Sequence, residues 1–194
     1  MTIIKFDLEK LKQNANNFNY YILGRSYDLA ENGAKQDYNR ALFYYREGLK
    51  NGYPLCIYSV GISYELGLEG VLPIDKQKAK ILLTDAYPKI LELISNPNIN
   101  EIEKVYAKFI TGAYYYYGLG KIDKDYQKAF QIIKECAEQG HIAAIYDLGA
   151  NFYYNGIGTN KDNDLADFYL NLASENGLPR AISLIKTRKN SLHN

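Results

Sequence analysis

Nucleophilic or metal chemistry in this chain would have to come from two cysteines and two histidines, Cys56, Cys136, His141 and His193. Cys136 and His141 are the one thiol and imidazole close in sequence, five residues apart across a helix end. They share no helical face, so a nucleophile–base pair would need a tertiary contact to join them. Cys56 stands near the start of a helical segment in place of a small residue and reads as a core thiol. His193 lies in the tail. No HExxH, paired CxxC or EF-hand loop occurs, and no glycine turn leads into the Lys-Ser/Thr of a Walker loop. No metal and no cofactor is therefore expected. Acidic residues are plentiful, but none forms a matched pair for acid–base work. The expectation is a protein that is not an enzyme and that works through its surface.

Bulk properties narrow what that surface meets. A net charge of +1 with 47% hydrophobic residues excludes both disorder and a basic nucleic-acid-binding domain. The one local basic excess, Lys186, Arg188 and Lys189, reads as a solvated end. The first residues hold no apolar run of signal-peptide length, and no stretch approaches a membrane span. The expected setting is cytoplasmic, with no membrane partner. Two cysteines 80 residues apart make no disulfide framework.

The elements that would build the surface are set by a repeat. Glycines at Gly24, Gly61, Gly112 and Gly149 are followed by alanines at Ala41, Ala79, Ala129 and Ala166, after 17, 18, 17 and 17 residues. An aromatic follows each glycine by three: Tyr27, Tyr64, Tyr115 and Phe152. Each unit reads as two helices, the first carrying the glycine and the second the alanine. Gly33, Gly67, Gly118 and Gly156 close the first helices. Asp37, Asp75, Asp125 and Asp162 are the candidate N-caps of the second. A mid-helix glycine costs about 1 kcal/mol against alanine. Four in one phase imply a close crossing, with glycine expected to face alanine.

One interval differs. Gly61 to Gly112 spans 51 residues, against 37 for the other two. Divided between the facing helices, the insertion adds about seven residues to each. Pro88 is expected to kink the first, and Asn100 with Glu103 to form a capping box for the next. The fold class is all-α: a right-handed α-solenoid of about four helix-turn-helix repeats with a lengthened middle hairpin. The units run roughly 18–53, 54–104, 105–141 and 142–178. Residues 1–17 form an N-terminal capping segment, the array extends to 185, and 186–194 form a flexible tail.

The junction Gly140-His141-Ile142-Ala143-Ala144-Ile145-Tyr146-Asp147-Leu148-Gly149 resembles that of the Sel-one-like repeat (SLR) family, relatives of tetratricopeptide repeats. Asp125-Tyr126-Gln127-Lys128-Ala129 and, more loosely, Asp75-Lys76-Gln77-Lys78-Ala79 are similar to its second-helix pattern. The sequence departs from that pattern at Thr111, where leucine usually precedes the glycine. The fourth unit carries one extra residue before Gly156. The resemblance implies an α-solenoid acting as an adaptor or binding scaffold.

By analogy with tetratricopeptide packing, first helices line a concave groove through positions three before and one, four and five after each glycine. These positions place Tyr21, Tyr58, Phe109 and Tyr146 on one stripe. Arg25, Asp28, Glu65, Tyr116, Tyr117, Tyr153 and Tyr154 stand beside it. A tyrosine-lined groove suits protein recognition. The expected function is a monomeric, non-catalytic module that binds a protein or peptide segment there. Two alternatives accompany it: a bacterial immunity protein neutralising a toxin, and a hydrolase acting on cell-wall-type compounds.

Overall fold

A computed structural model of the chain describes residues 2–14 and 16–191. After a short helix α1 (Leu8–Gln13) come four helical hairpins. They are α2 (Asn17–Leu29) with α3 (Tyr38–Lys50), α4 (Pro54–Leu66) with α5 (Lys76–Ser95), α6 (Glu101–Tyr117) with α7 (Tyr126–Glu138), and α8 (Ile142–Asp147) with α9 (Asn163–Glu175). Helix α10 (Pro179–Ser191) closes the array. The described residues hold no strand beyond an isolated bridge between Leu68 and Leu72. The fold is an all-α solenoid. Residues 186–191, expected as a tail, continue α10; 192–194, His193 among them, lie outside the described residues.

The second helices start where the aspartates place them. Asp37, Asp75, Asp125 and Asp162 each accept the backbone N–H three residues on, at 2.9–3.0 Å. This satisfies one orphan donor of the first turn. Each aspartate's own N–H returns to the preceding helix. It donates to Tyr27, Tyr64, Tyr115 and Tyr153 in turn, always at 2.9 Å. The inserted residues lengthen α5 to 20 and α6 to 17, against 13 in α4 and α7. The division is seven and four rather than equal, and Pro88 lies inside α5 without ending it. Asn100 caps α6 by accepting the Glu103 N–H at 2.8 Å. Glu103 returns to the Asn100 side chain rather than its backbone, at 3.0 Å, and accepts the Tyr53 hydroxyl at 2.7 Å.

The crossing is one turn away from where the spacing puts it. Ala41, Ala79, Ala129 and Ala166 are fully buried, yet a side chain on each glycine would meet the residue four beyond the alanine. The partners are Tyr45, Leu83, Ile133 and Leu170; the last three lie 3.0, 2.7 and 2.8 Å from the added Cβ, and Tyr45 lies against it. The glycine therefore receives a large side chain laid across the backbone of the first helix. Only at Gly149 does it also approach the alanine, at 2.8 Å from the Ala166 carbonyl oxygen.

The array closes on itself. Tyr21 of α2 meets Tyr106 of α6 at 6.0 Å between ring centroids, and the Arg25 guanidinium lies 5.8 Å from the Phe109 ring. An extended N-terminal segment crosses the same edge. The Ile4 N–H donates to the Gly140 carbonyl at 3.0 Å, and Phe6 packs on Phe18 and Tyr106. First and third units thus touch directly, which nearest-neighbour stacking alone does not provide.

Gly112→Ala should destabilise the chain by about 1–3 kcal/mol through overpacking against Ile133, despite alanine's better helix propensity. Adding Ile133→Val, which removes the Cδ1 atom 2.7 Å from the new Cβ, should recover part of that loss. Urea unfolding measures both. A single variant as stable as the wild type would mean that the crossing is not a tight contact.

Candidate protein-binding groove

One cavity of about 470 Å³ is lined by the first helix of every unit and by α10, with Tyr45 of α3 and Leu119 beside them. Of the residues expected to line a groove it gathers Tyr21, Arg25, Asp28, Tyr58, Glu65, Phe109 and Tyr117. Tyr21 and Phe109 are buried in its floor. Desolvation pushes the Tyr21 hydroxyl up to about 12, so it stays neutral. Arg25 is held by a buried, bidentate ion pair, with Nε and Nη2 each 2.9 Å from the Glu31 carboxylate. Asp28 accepts the Tyr45 hydroxyl at 3.2 Å, and burial raises its carboxyl above the ordinary range. Glu65 pairs with Lys76 at 2.7 Å. Tyr117 is 57% exposed and stands at the rim with Leu29, 37%, and Leu66, 69%.

The other four expected residues are placed elsewhere. Tyr146 is half-buried beneath the Arg180 guanidinium, 4.5 Å from its ring. Tyr116 turns from the cavity to pack edge-on against Phe152 and Tyr126. Tyr153 is buried and stacks on Tyr169, with centroids 5.7 Å apart and planes parallel within 1°. Tyr154 lies between Arg188, at 4.3 Å, and Lys161, at 5.4 Å.

A single residue causes the displacement of Tyr153 and Tyr154. α8 runs into a π-helical turn, Leu148–Tyr153, with the Tyr154 N–H bonded to the Gly149 carbonyl at 3.2 Å. The extra residue before Gly156 is absorbed there, and everything after it shifts by one. The Phe152 carbonyl accepts the closing-turn N–H groups of Gly156 and Ile157, as Tyr114 accepts those of Gly118 and Leu119. Phe152 is thus the counterpart of buried Tyr114. Tyr153, not Phe152, is the counterpart of Tyr27, Tyr64 and Tyr115. Tyr27 likewise stacks on its own second helix, against Tyr44 at 8°.

Sequence reasoning missed Asp147, Ser59 and Arg180, which also line the cavity. Ser59 and Asp147 share a position two before the glycine, outside the stripe taken from tetratricopeptide packing. Arg180 comes from α10, whose start, Gly177-Leu178-Pro179-Arg180-Ala181, resembles the Gly140–Ala144 junction and could have marked a further first helix.

The one candidate nucleophile and base are engaged separately. The Cys136 thiol donates to the Val105 carbonyl at 3.6 Å, and burial pushes it up to about 12. His141 caps α8, its Nδ1 accepting the Ala144 N–H at 3.2 Å. Its ring stacks on Phe109 at 4.2 Å and tilts against Tyr106 at 4.2 Å. Burial first, then the Arg25 and Arg180 charges, holds the imidazole well below its ordinary value, so it is neutral.

Residues 20–53, 54–86, 105–141 and 142–178 match the Sel1 repeat. The chain belongs to the Sel1 repeat family. The unmatched stretch 87–104 covers the extension of α5 and the turn into α6. Repeats of this family generally mediate protein–protein interaction. Two solved structures are similar. A protective antigen present in uropathogenic Escherichia coli strains, displaying an SLR fold, shares 26% identity over 89% of this chain and 34% of its own, with a TM-score of 0.43. A Sel1 repeat protein from Oxalobacter formigenes shares 23% identity over 92% and 47%, with a TM-score of 0.47. The chain thus spans between a third and a half of their length. No curated protein matches it. No helix among the described residues is long and apolar enough to cross a membrane.

Neutral, buried His141 makes stability depend on pH. Unfolding lets the imidazole take a proton below about pH 6.5, which the folded state refuses, so stability falls as pH drops through 6.5. Asp28 and Asp147, raised by burial, act in the opposite sense. The His141 share is therefore read as a difference from His141→Asn, which keeps an N-cap side chain. Below pH 6.5 the wild type should lose up to about 1.4 kcal/mol per pH unit more than the variant. Parallel curves would mean that His141 protonates in the folded state.

Proposed function

We propose that this Sel1 repeat chain is a non-catalytic module that holds a segment of another protein in the groove between its first helices. The observation that carries this reading is the exposed apolar rim of Leu29, Leu66 and Tyr117, standing at one repeat position in three successive units over a floor that holds Tyr21 and Phe109. Exposed side chains of this size on one lined cavity are what a partner would bury. Interface energy concentrates in a few such anchors, often tyrosine. The thiol and imidazole that a hydrolase reading would need are bonded apart, to the Val105 carbonyl and the Ala144 N–H. Neutralising a toxin would be one use of such a module, and the identity of what it captures decides that.

Affinity capture from a lysate of the source organism, read by mass spectrometry, tests the site. Leu66→Ala with Tyr117→Ala should weaken capture tenfold or more while the helical circular dichroism stays unchanged. Tyr153→Ala should instead cost stability, about 3 kcal/mol, because its ring is packed against Tyr169. Capture that survives the double variant would move the binding surface out of the groove.

A further inference from the structure

Among the residues that line the groove is an arginine whose hydrogen bonds are incomplete. Arg180 is the second residue of α10, and its guanidinium lies over the Tyr146 ring. Its Nε and Nη2 atoms, one edge of the guanidinium, are out of contact with solvent and have no hydrogen-bond partner among the described residues. Charged donors left unmet inside a protein are unfavourable and rare. Asp147 is close enough for the Arg180 charge to act on it, yet no ion pair joins the two. Asp147 accepts instead from the Asn151 side-chain amide at 3.2 Å. The same chain shows what this edge of an arginine takes. In Arg25, which lines the same cavity, Nε and Nη2 each meet an oxygen of Glu31 at 2.9 Å.

We propose that Arg180 anchors a carboxylate, the free C-terminus of an extended peptide lying in this groove. The proposal rests on the groove being the binding site and adds the chemistry of what it binds. Arg180 is only partly buried and lines the cavity, so rotation about its side-chain bonds turns the Nε–Nη2 edge toward the groove. A planar carboxylate matches that edge with two parallel charge-assisted hydrogen bonds. A chain end is favoured over an internal acidic side chain by size. A cavity of about 470 Å³ is near the small end of ligand sites, about 300–1,000 Å³, and admits few residues. Arg180 stands on α10, the last of the six helices that line it, Tyr45 adding α3 to the first helices. The terminal side chain would then rest among Tyr58, Phe109 and Tyr117.

The test uses arrays of hexapeptides rich in aliphatic and aromatic residues, in three matched sets. The first has free C-terminal carboxylates, the second has C-terminal amides, and the third is amidated with one internal Asp or Glu. Wild-type protein should be retained by the best peptides of the first set tenfold or more above their amides. Arg180→Gln should bring the first set down to the level of the second, and Arg180→Lys should restore part of the difference. Tyr117→Ala should weaken retention whatever the terminus. Equal retention of free and amidated peptides, unaffected by Arg180→Gln but reduced by Tyr117→Ala, overturns the carboxylate anchor and leaves the groove standing. Retention of the third set equal to the first overturns the chain end in favour of an acidic side chain. Retention of no set, or retention indifferent to Tyr117→Ala, overturns the groove itself.

Discussion

The approach of two helices at a glycine is the constraint on which the rest of this solenoid depends. In each hairpin a large residue of the second helix lies across the first helix where a Cβ would be. That contact fixes the separation of the pair. The hydrogen bond from each N-capping aspartate to the tyrosine carbonyl then fixes the register between them. With separation and register both set, the remaining faces of each first helix are assigned. One packs inward on the second helix, one meets neighbouring units, and one is left for the groove.

Because faces are assigned by register, a one-residue change has consequences beyond its own turn. The π turn in α8 rotates the end of that helix by about 100° relative to its counterparts, one residue of a helix with 3.6 per turn. It carries Tyr153 off the expected groove stripe and into the packing position held elsewhere by Tyr27, Tyr64 and Tyr115. The tyrosine–carbonyl bond to the aspartate is kept at 2.9 Å, so the hairpin is preserved and the groove face changes. The first three units present rim residues to the cavity from the helix end, and the fourth, whose helix end is rotated, reaches it through Asp147, ahead of the π turn.

The hairpins, their caps and the uneven middle interval were legible because glycine, alanine and aspartate each have a local reason to recur. A cap needs an oxygen acceptor, a helix exit needs positive φ, and a close crossing needs a small residue. The crossing partner was not legible in the same way. Tyr45, Leu83, Ile133 and Leu170 share only large size, with an aromatic ring in the first unit and branched aliphatic chains in the others, so the position is not invariant and the recurring alanine drew attention instead. Seven of eleven expected groove residues reach the cavity. Tyr153 and Tyr154 failed on a backbone irregularity whose cue, the extra residue before Gly156, was visible while its effect on phase was not. Tyr116 and Tyr146 depend on where neighbouring units put Phe152 and Arg180, a matter of tertiary packing. At Ala30, whose φ is 55°, the first unit makes the helix exit without the glycine used in the others.

Closure of the array explains why the site is a small cavity instead of an open concave face. A repeat that touches only its neighbours leaves first helices splayed along a broad surface. Here Tyr21 meets Tyr106, Arg25 reaches Phe109, and the N-terminal segment ties its Ile4 to the Gly140 carbonyl. Such closure brings charged groups of distant units together in a partly dry space, where an ion needs a partner more than it does in water. Arg25 has Glu31 within its own unit. Arg180 enters from the last helix and meets an aspartate already engaged by Asn151. The geometry that shrinks the groove is thus the same geometry that leaves one of its two cations short of an anion, and the carboxylate anchor proposed for Arg180 rests on how tightly the solenoid is wound.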